Sequence, residues 1–287
     1  MYYTIKNEFM TVKVEEQGAE LQSVLCNGTE YLWQGDAQWW TGRAPILFPI
    51  IGKLKGGAYR LDGKQYTLAN HGFARRSKFM LAGKSEETIT FSLSDSEDTR
   101  SIYPFAFELL ATYELSGRSL RTKFQVNNKA GTDMYFSIGG HPAFNCPLFE
   151  GETLEDYEII FNEKETAGTH IITEGLVSDQ LAPFLNESNL ITLSNDLFSK
   201  YQTIVLSNLK STIVTLRSRN NGKGVTMDFS GFPYFGIWAP PGAPFVCLEP
   251  WQGVDDSPVA EGNLREKTGT IRLPSGAEHS CSFTISL

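Results

Sequence analysis

Cysteine is scarce in this chain: four in 287 residues (Cys26, Cys146, Cys247, Cys281), far apart and with no Cys-x-x-Cys pair. That spacing suggests neither a disulfide framework nor a zinc ribbon, and it predicts four buried small hydrophobes. No apolar run approaches the roughly 18 residues of a membrane span. The opening "MYYTIKNE" lacks a basic stretch followed by an apolar one, so a cytoplasmic location is expected. Positive charge is not in excess either. A formal net charge of −8 argues against general nucleic-acid binding, which uses basic surface to release counterions. Finally, no window of helical length keeps apolar residues at i, i+3, i+4 and i+7, which weighs against a helical or doubly wound α/β fold.

What is present is a succession of short alternating runs bounded by turn residues. Together with 41% hydrophobic and 12% aromatic residues, these predict an all-β fold, a large antiparallel β-sandwich with a sizeable core. No repeat or Pro/Ser-rich linker divides the chain, so residues 1–287 are expected to form a single domain. Three hairpins are expected, across Asn27-Gly28, Asp62-Gly63 and Ser116-Gly117; Asn-Gly supplies the positive φ angles of a type I′ turn. "DLFSKY" (196–201) and "SIYPFAF" (101–107) are expected to hold a helical turn each.

Charge is unevenly spread. Between Thr41 and Lys84 nine basic residues face one acid, giving +8 and leaving −16 on the remainder. This segment is either a solvated basic face or one that meets an anion. Four histidines can be weighed singly. His170 and His279 sit among polar turn-like neighbours and read as surface residues. His71, in "LANHGFARR", and His141, in "GGHPAFN", are flanked by small or apolar residues and by glycines that let the backbone bend close. No His or Cys spacing typical of zinc, no P-loop, no dinucleotide fingerprint and no Gly-x-Ser-x-Gly is present. No metal or cofactor is expected. In "GIWAPPGAPFVCLEPWQG" an apolar strand ends in Glu249, beside Trp251. Desolvation there raises a carboxylate's basicity. Trp238, Trp251, Phe235 and Tyr234 form a candidate aromatic wall of the kind sugar rings pack against.

Taken in order, "GRAPILFPIIGKLKGG", "HGFARR", "GGHPAFN", "NDLF" and "CLEPWQG" resemble the aldose 1-epimerase (galactose mutarotase) family, most closely its LacX-like branch. The resemblance spans Gly42 to Gly253. It implies a β-supersandwich and cofactor-free interconversion of the anomers of a free hexose. It implies Glu249 as catalytic base and His141 as acid, with Arg43, His71 and Asp196 binding substrate. The sequence around Asp196 departs from the galactose mutarotases, where a histidine follows the aspartate. A hexose 6-phosphate is an alternative substrate because Lys53, Lys55, Arg75 and Arg76 lie in the basic segment, Lys53 and Arg75 being the candidate phosphate ligands. Two other readings are a non-catalytic carbohydrate sensor, which would not need the acid-base pair, and a glycoside hydrolase using Glu249 with Asp196, which would leave the imidazole without a role. The expected partner is a small sugar, not a nucleic acid or a membrane.

Overall fold

The computed structural model describes residues 1–287. Nine strands form one antiparallel sheet in the spatial order Leu176–Thr192, Tyr157–Thr173, Ile213–Ser218, Gly224–Asp228, Glu278–Ser286, Ser119–Asn128, Phe107–Ser116, Thr88–Ser94 and Met80–Lys84. Its centre is regular. Phe107–Ser116 pairs with Ser119–Asn128 without a register shift, and Phe107, Leu109, Ala111, Tyr113 and Leu115 are buried at every second position. One face is thereby committed to the core, because a strand's side chains alternate strictly between its two faces. A four-stranded sheet (Tyr2–Lys6, Met10–Glu15, Leu21–Cys26, Thr29–Glu30) contributes Ile5, Val12 and Val14 to the same continuous core.

The expected hairpins form. Asn27-Gly28 and Asp62-Gly63 take positive φ at both positions and close tight two-residue loops. The third turn is one residue later than expected. Ser116 pairs with Ser119, so Gly117-Arg118 is the loop, with positive φ at Gly117. Two short helices occur. The first, α1 (Glu97–Ile102), is capped by Ser96, whose hydroxyl accepts from Thr99 N–H. It stops before Pro104, which disfavours helical backbone at the preceding residue, so "SIYPFAF" supplies only the helix end. The second, α2 (Asn195–Tyr201), is capped by Ser194 and coincides with "DLFSKY". Neither is long and apolar enough to cross a membrane.

A second, six-stranded sheet carries the site. Thr203–Ser207, Tyr234–Trp238 and Phe245–Gln252 lie side by side. Beyond them come two short segments, Ile138–Gly140 and Ala143–Asn145, and then Ile46–Leu47. The strand Phe245–Gln252 is buried along almost its whole length. Val246 and Leu248 join Phe235 and Ile237 in the main core, where Phe235 meets Phe161 of the nine-stranded sheet. Alternation therefore turns Cys247, Glu249 and Trp251 to the opposite face.

Candidate active site

The strand opposite Glu249 is interrupted. Gly139 pairs with Trp251 and Ala143 pairs with Cys247, but the register with Phe245–Gln252 is broken at the intervening Gly140-His141-Pro142. His141 stands in that gap facing Glu249, which places its Nε2 3.1 Å from Glu249 Oε2. The glycines serve close approach, with no left-handed backbone required at either. A Cβ on Gly139 would lie 2.7 Å from the Pro250 carbonyl oxygen, and one on Gly140 would lie 2.7 Å from the Phe283 ring. On the other side Gly236 pairs with Glu249, and a Cβ there would meet the Trp251 ring at 2.8 Å. Glu249 is thus mid-strand, not at a strand end as its sequence suggested, because both neighbours continue their pairing past it.

His141 is 7% exposed and Glu249 1%. His141 Nδ1 has no protein hydrogen-bond partner. Burial, and secondarily the Asp255 charge, pushes the Glu249 carboxyl well above the usual range. Burial, then His71 and Arg75, pushes the His141 imidazolium well below its own. Either as carboxylate with imidazolium or as carboxylic acid with imidazole, the pair holds one proton. Attraction at this distance is about 5 kcal/mol at an effective dielectric constant of about 20. Desolvation costs several kcal/mol per ion and opposes that attraction. A ligand that offers hydroxyl donors to the carboxylate can tip the balance.

Around this pair lies a cavity of about 400 Å³. Trp40 stacks on His141 (centroids 4.9 Å apart, planes at 28°), and Trp238 meets the imidazole edge-on at 5.7 Å. His71 lies 5.6 Å from His141, ring to ring. Its backbone is left-handed (φ 62°), a conformation histidine tolerates better than most side chains. His71 N–H donates to the Gly52 carbonyl, and Gly52 N–H donates to His71 Nδ1 at 3.0 Å. Nδ1 is therefore unprotonated, and the ring's proton sits on Nε2. Burial, with the nearby charges of Arg75, Arg76, Lys53 and Lys267, lowers this imidazole to about 3, so it is a neutral hydrogen-bonding group near pH 7.

Lys53, Arg75, Glu249, Trp251, Trp238, His141 and His71 all line the cavity. Arg43 and Asp196 do not. The Arg43 guanidinium turns away and donates to the Gln34 carbonyl at 2.7 Å. Asp196 is exposed in the first turn of α2, the end remote from the cavity wall. That wall is built instead by Gln202, at the helix C-terminus with φ 57°, and by Thr203. Lys55 and Arg76 spend a donor each on the Ala260 and Gly72 carbonyls. Phe235 belongs to the core, and Tyr234 packs beside Trp251 without lining the cavity. His170 and His279 are half-buried strand residues, not turn residues, bonded to Ser178 O and Ser207 Oγ and to Gln252 Oε1 respectively.

Sequence reasoning missed Trp40, Asn70, Gln202 and Asp255. For Trp40 the available signal was the doublet Trp39-Trp40 ahead of "TGRAP". Gly42 permits its placement, since a Cβ there would lie 2.5 Å from the Trp40 ring. Asp255 accepts from Lys53 N–H at 2.7 Å and occupies the space a Cβ on Gly52 would need. Burial holds its carboxyl above the usual range. The far rim is the tip of the hairpin Tyr157–Thr173/Leu176–Thr192, where Ile172, Gly175 and Val177 close over the cavity.

The sequence profile described as aldose 1-epimerase matches residues 1–286. The chromosomal protein LacX of Lactococcus lactis subsp. lactis is 41% identical over 277 residues, covering 93% of this chain and 92% of that one. A solved galactose mutarotase related enzyme from Lactobacillus acidophilus superposes with a TM-score of 0.94 at 38% identity, covering 100% of this chain and 97% of that one. A galactose mutarotase-like protein from Lactobacillus casei gives a TM-score of 0.94 at 32% identity, with 100% and 99% covered. The interrupted strand that brings an imidazole to a buried carboxylate thus sits in a chain that belongs to the aldose 1-epimerase family, isomerases that interconvert sugar anomers.

Proposed function

We propose that this chain is a mutarotase for a free hexose, with Glu249 and His141 as its proton-exchanging pair. The observation that carries the reading is their 3.1 Å approach at the floor of an aromatic-lined cavity. Sugar binding offers hydroxyl donors to the carboxylate and favours the ionised tautomer. Glu249 then takes the C1 hydroxyl proton while His141 delivers its proton to the ring oxygen, and the C1–O5 bond breaks. The open-chain aldehyde rotates about C1–C2. Closure on the other face returns the O5 proton to His141, and Glu249 reprotonates the carbonyl oxygen. The proton count of the pair is the same before and after, and no nucleophile is required. Each transfer contributes about 10²- to 10⁴-fold. Trp40 and Trp238 cover the sugar's C–H faces, and His71 Nε2–H donates to a hydroxyl or the ring oxygen. Asn70, Gln202, Arg75 and Asp255 are placed to fix the remaining hydroxyls.

A phosphorylated hexose is the second reading, favoured by one observation: Lys53 and Arg75, the two cations singled out from the basic segment, both line the cavity. Saturation-transfer NMR on glucose, galactose and their 6-phosphates tests both readings. Accelerated exchange on any of them supports the mutarotase. A KM lowered by the phosphate, and raised again in Lys53→Ala, selects the second reading. Absence of exchange on all four with folded protein contradicts both.

A further inference from the structure

Cys247 has no part in anomer exchange, yet strand geometry sets it beside both exchanging groups. It lies two residues before Glu249 on the same face of the strand. It also pairs with Ala143, two residues after His141. Its sulfur, a Glu249 carboxylate oxygen and a His141 ring nitrogen all lie within 4.8 Å of one another. All three residues are buried; Glu249 Oε2 meets His141 Nε2 at 3.1 Å, and His141 Nδ1 has no hydrogen-bond partner in the protein. Buried polar atoms are rarely left so.

We propose that His141, Cys247 and Glu249 form a Zn²⁺ site through which the metal inhibits the protein by occupying its exchanging pair. Imidazole, thiolate and carboxylate are the ligands Zn²⁺ takes, and three protein ligands leave a fourth position free; His141 and Glu249 line the cavity, and Cys247 belongs to the adjoining apolar cluster with Ala143 and Phe245. Zinc–ligand bonds of about 2.0–2.3 Å put tetrahedral ligand atoms about 3.3–3.8 Å apart. Small side-chain movements from the present separations reach that. On binding, two protons leave to solvent, one from the Cys247 thiol and the one shared by Glu249 and His141, and the metal takes a lone pair from each of the three. Metal and proton exchange then exclude each other. The sulfur donor favours Zn²⁺ over Mg²⁺ or Ca²⁺, which select oxygen donors. No linear motif announces the triad, because its members come from two strands joined by register alone.

The inhibition rests on the mutarotase reading; the metal binding does not. Full-length protein stripped by chelator would be titrated with Zn²⁺ against a chromogenic chelator, and with Co²⁺ followed by absorption, alongside Cys247→Ser and Cys247→Ala. The alanine variant keeps an apolar residue at the site should serine impair folding. The expected result is one equivalent of metal in the parent protein, with a sulfur-to-cobalt charge-transfer band in the near ultraviolet. Both variants should lose that band and bind Zn²⁺ at least tenfold more weakly. They should retain anomer exchange while losing its inhibition by Zn²⁺. Equal Zn²⁺ affinity in parent and variants, or a cobalt spectrum without the sulfur band, would overturn the site. Failure of the metal-free parent to exchange anomers would instead remove the proposed function, while the cobalt spectrum still decides the metal site.

Discussion

Two strand pairs show how one all-β chain makes both a scaffold and a site. Phe107–Ser116 and Ser119–Asn128 pair over ten residues without a break, and their buried positions alternate. Phe245–Gln252 is flanked on one edge by two three-residue segments with His141 in the gap, and both of its faces are buried. The uninterrupted pair spends its inward side chains on packing, except Asn128, which bonds the Thr132 and Leu273 carbonyls. The interrupted pair gives up regular register between Gly139 and Ala143, keeps backbone bonds from His141 to Pro45 and from Leu248 to Pro142, and gains an imidazole aimed at a buried carboxylate. Substitutions in the two places should therefore fail in different ways.

The largest effect is expected at the break. Glu249→Gln and His141→Asn should each lower anomer exchange by about 10²- to 10⁴-fold with melting temperatures near that of the parent, measured by NMR exchange and thermal unfolding. In the regular pair, Phe107→Ala should do the reverse: about 3–5 kcal/mol of stability lost through the cavity it leaves, with kcat unchanged wherever the protein remains folded. A Phe107 variant that lost catalysis while folded would blur the contrast.

The next effects separate cavity residues from their neighbours. Arg75→Ala should raise KM about tenfold or more, the range for losing a charge-assisted hydrogen bond, while Arg43→Ala should change KM less than twofold. The opposite pattern would show that the guanidinium of Arg43 leaves Gln34 when sugar binds.

The smallest effect concerns acid. The His71 imidazole is lowered to about 3 in the folded protein and is near 6.5 in an unfolded chain. Above 6.5 neither state binds the proton. As pH falls from there toward 3, the unfolded chain takes up a proton that the folded one refuses, and stability is lost. His141 acts in the same direction and Glu249 in the opposite one, since its raised carboxyl favours the folded state as pH falls. Melting His71→Gln and the parent at pH 7 and pH 5 isolates the first contribution: the variant's drop should be the smaller. Equal drops would place a charge on His71 and undo its assigned tautomer.

The same contrast explains how much could be read from the residues alone. Alternation and Asn-Gly or Asp-Gly turns are local signals, so the hairpins and the all-β class were legible, with the Gly117-Arg118 turn displaced by one residue. The turn expected over "DLFSKY" is α2, which Ser194 caps. Glu249, His141 and His71 stood out because each interrupts an apolar or glycine-rich stretch. Arg43 and Asp196 were carried over from family motifs; the Arg43 guanidinium donates to the Gln34 carbonyl, Asp196 is exposed on α2, and neither lines the cavity. Trp40, Gln202, Asp255 and the approach of Cys247 depend on contacts between strands distant in sequence. Neither spacing nor composition encodes those contacts.

Anomer exchange measured in the parent protein, Glu249→Gln, His141→Asn and the double variant tests most directly whether the buried pair works as one proton-exchanging unit. Groups that act together lose activity non-additively. The double variant should be less than about tenfold slower than the slower single variant, with all three far below the parent. Losses that multiply, or near-parental exchange in either folded single variant, would contradict a shared mechanism for Glu249 and His141.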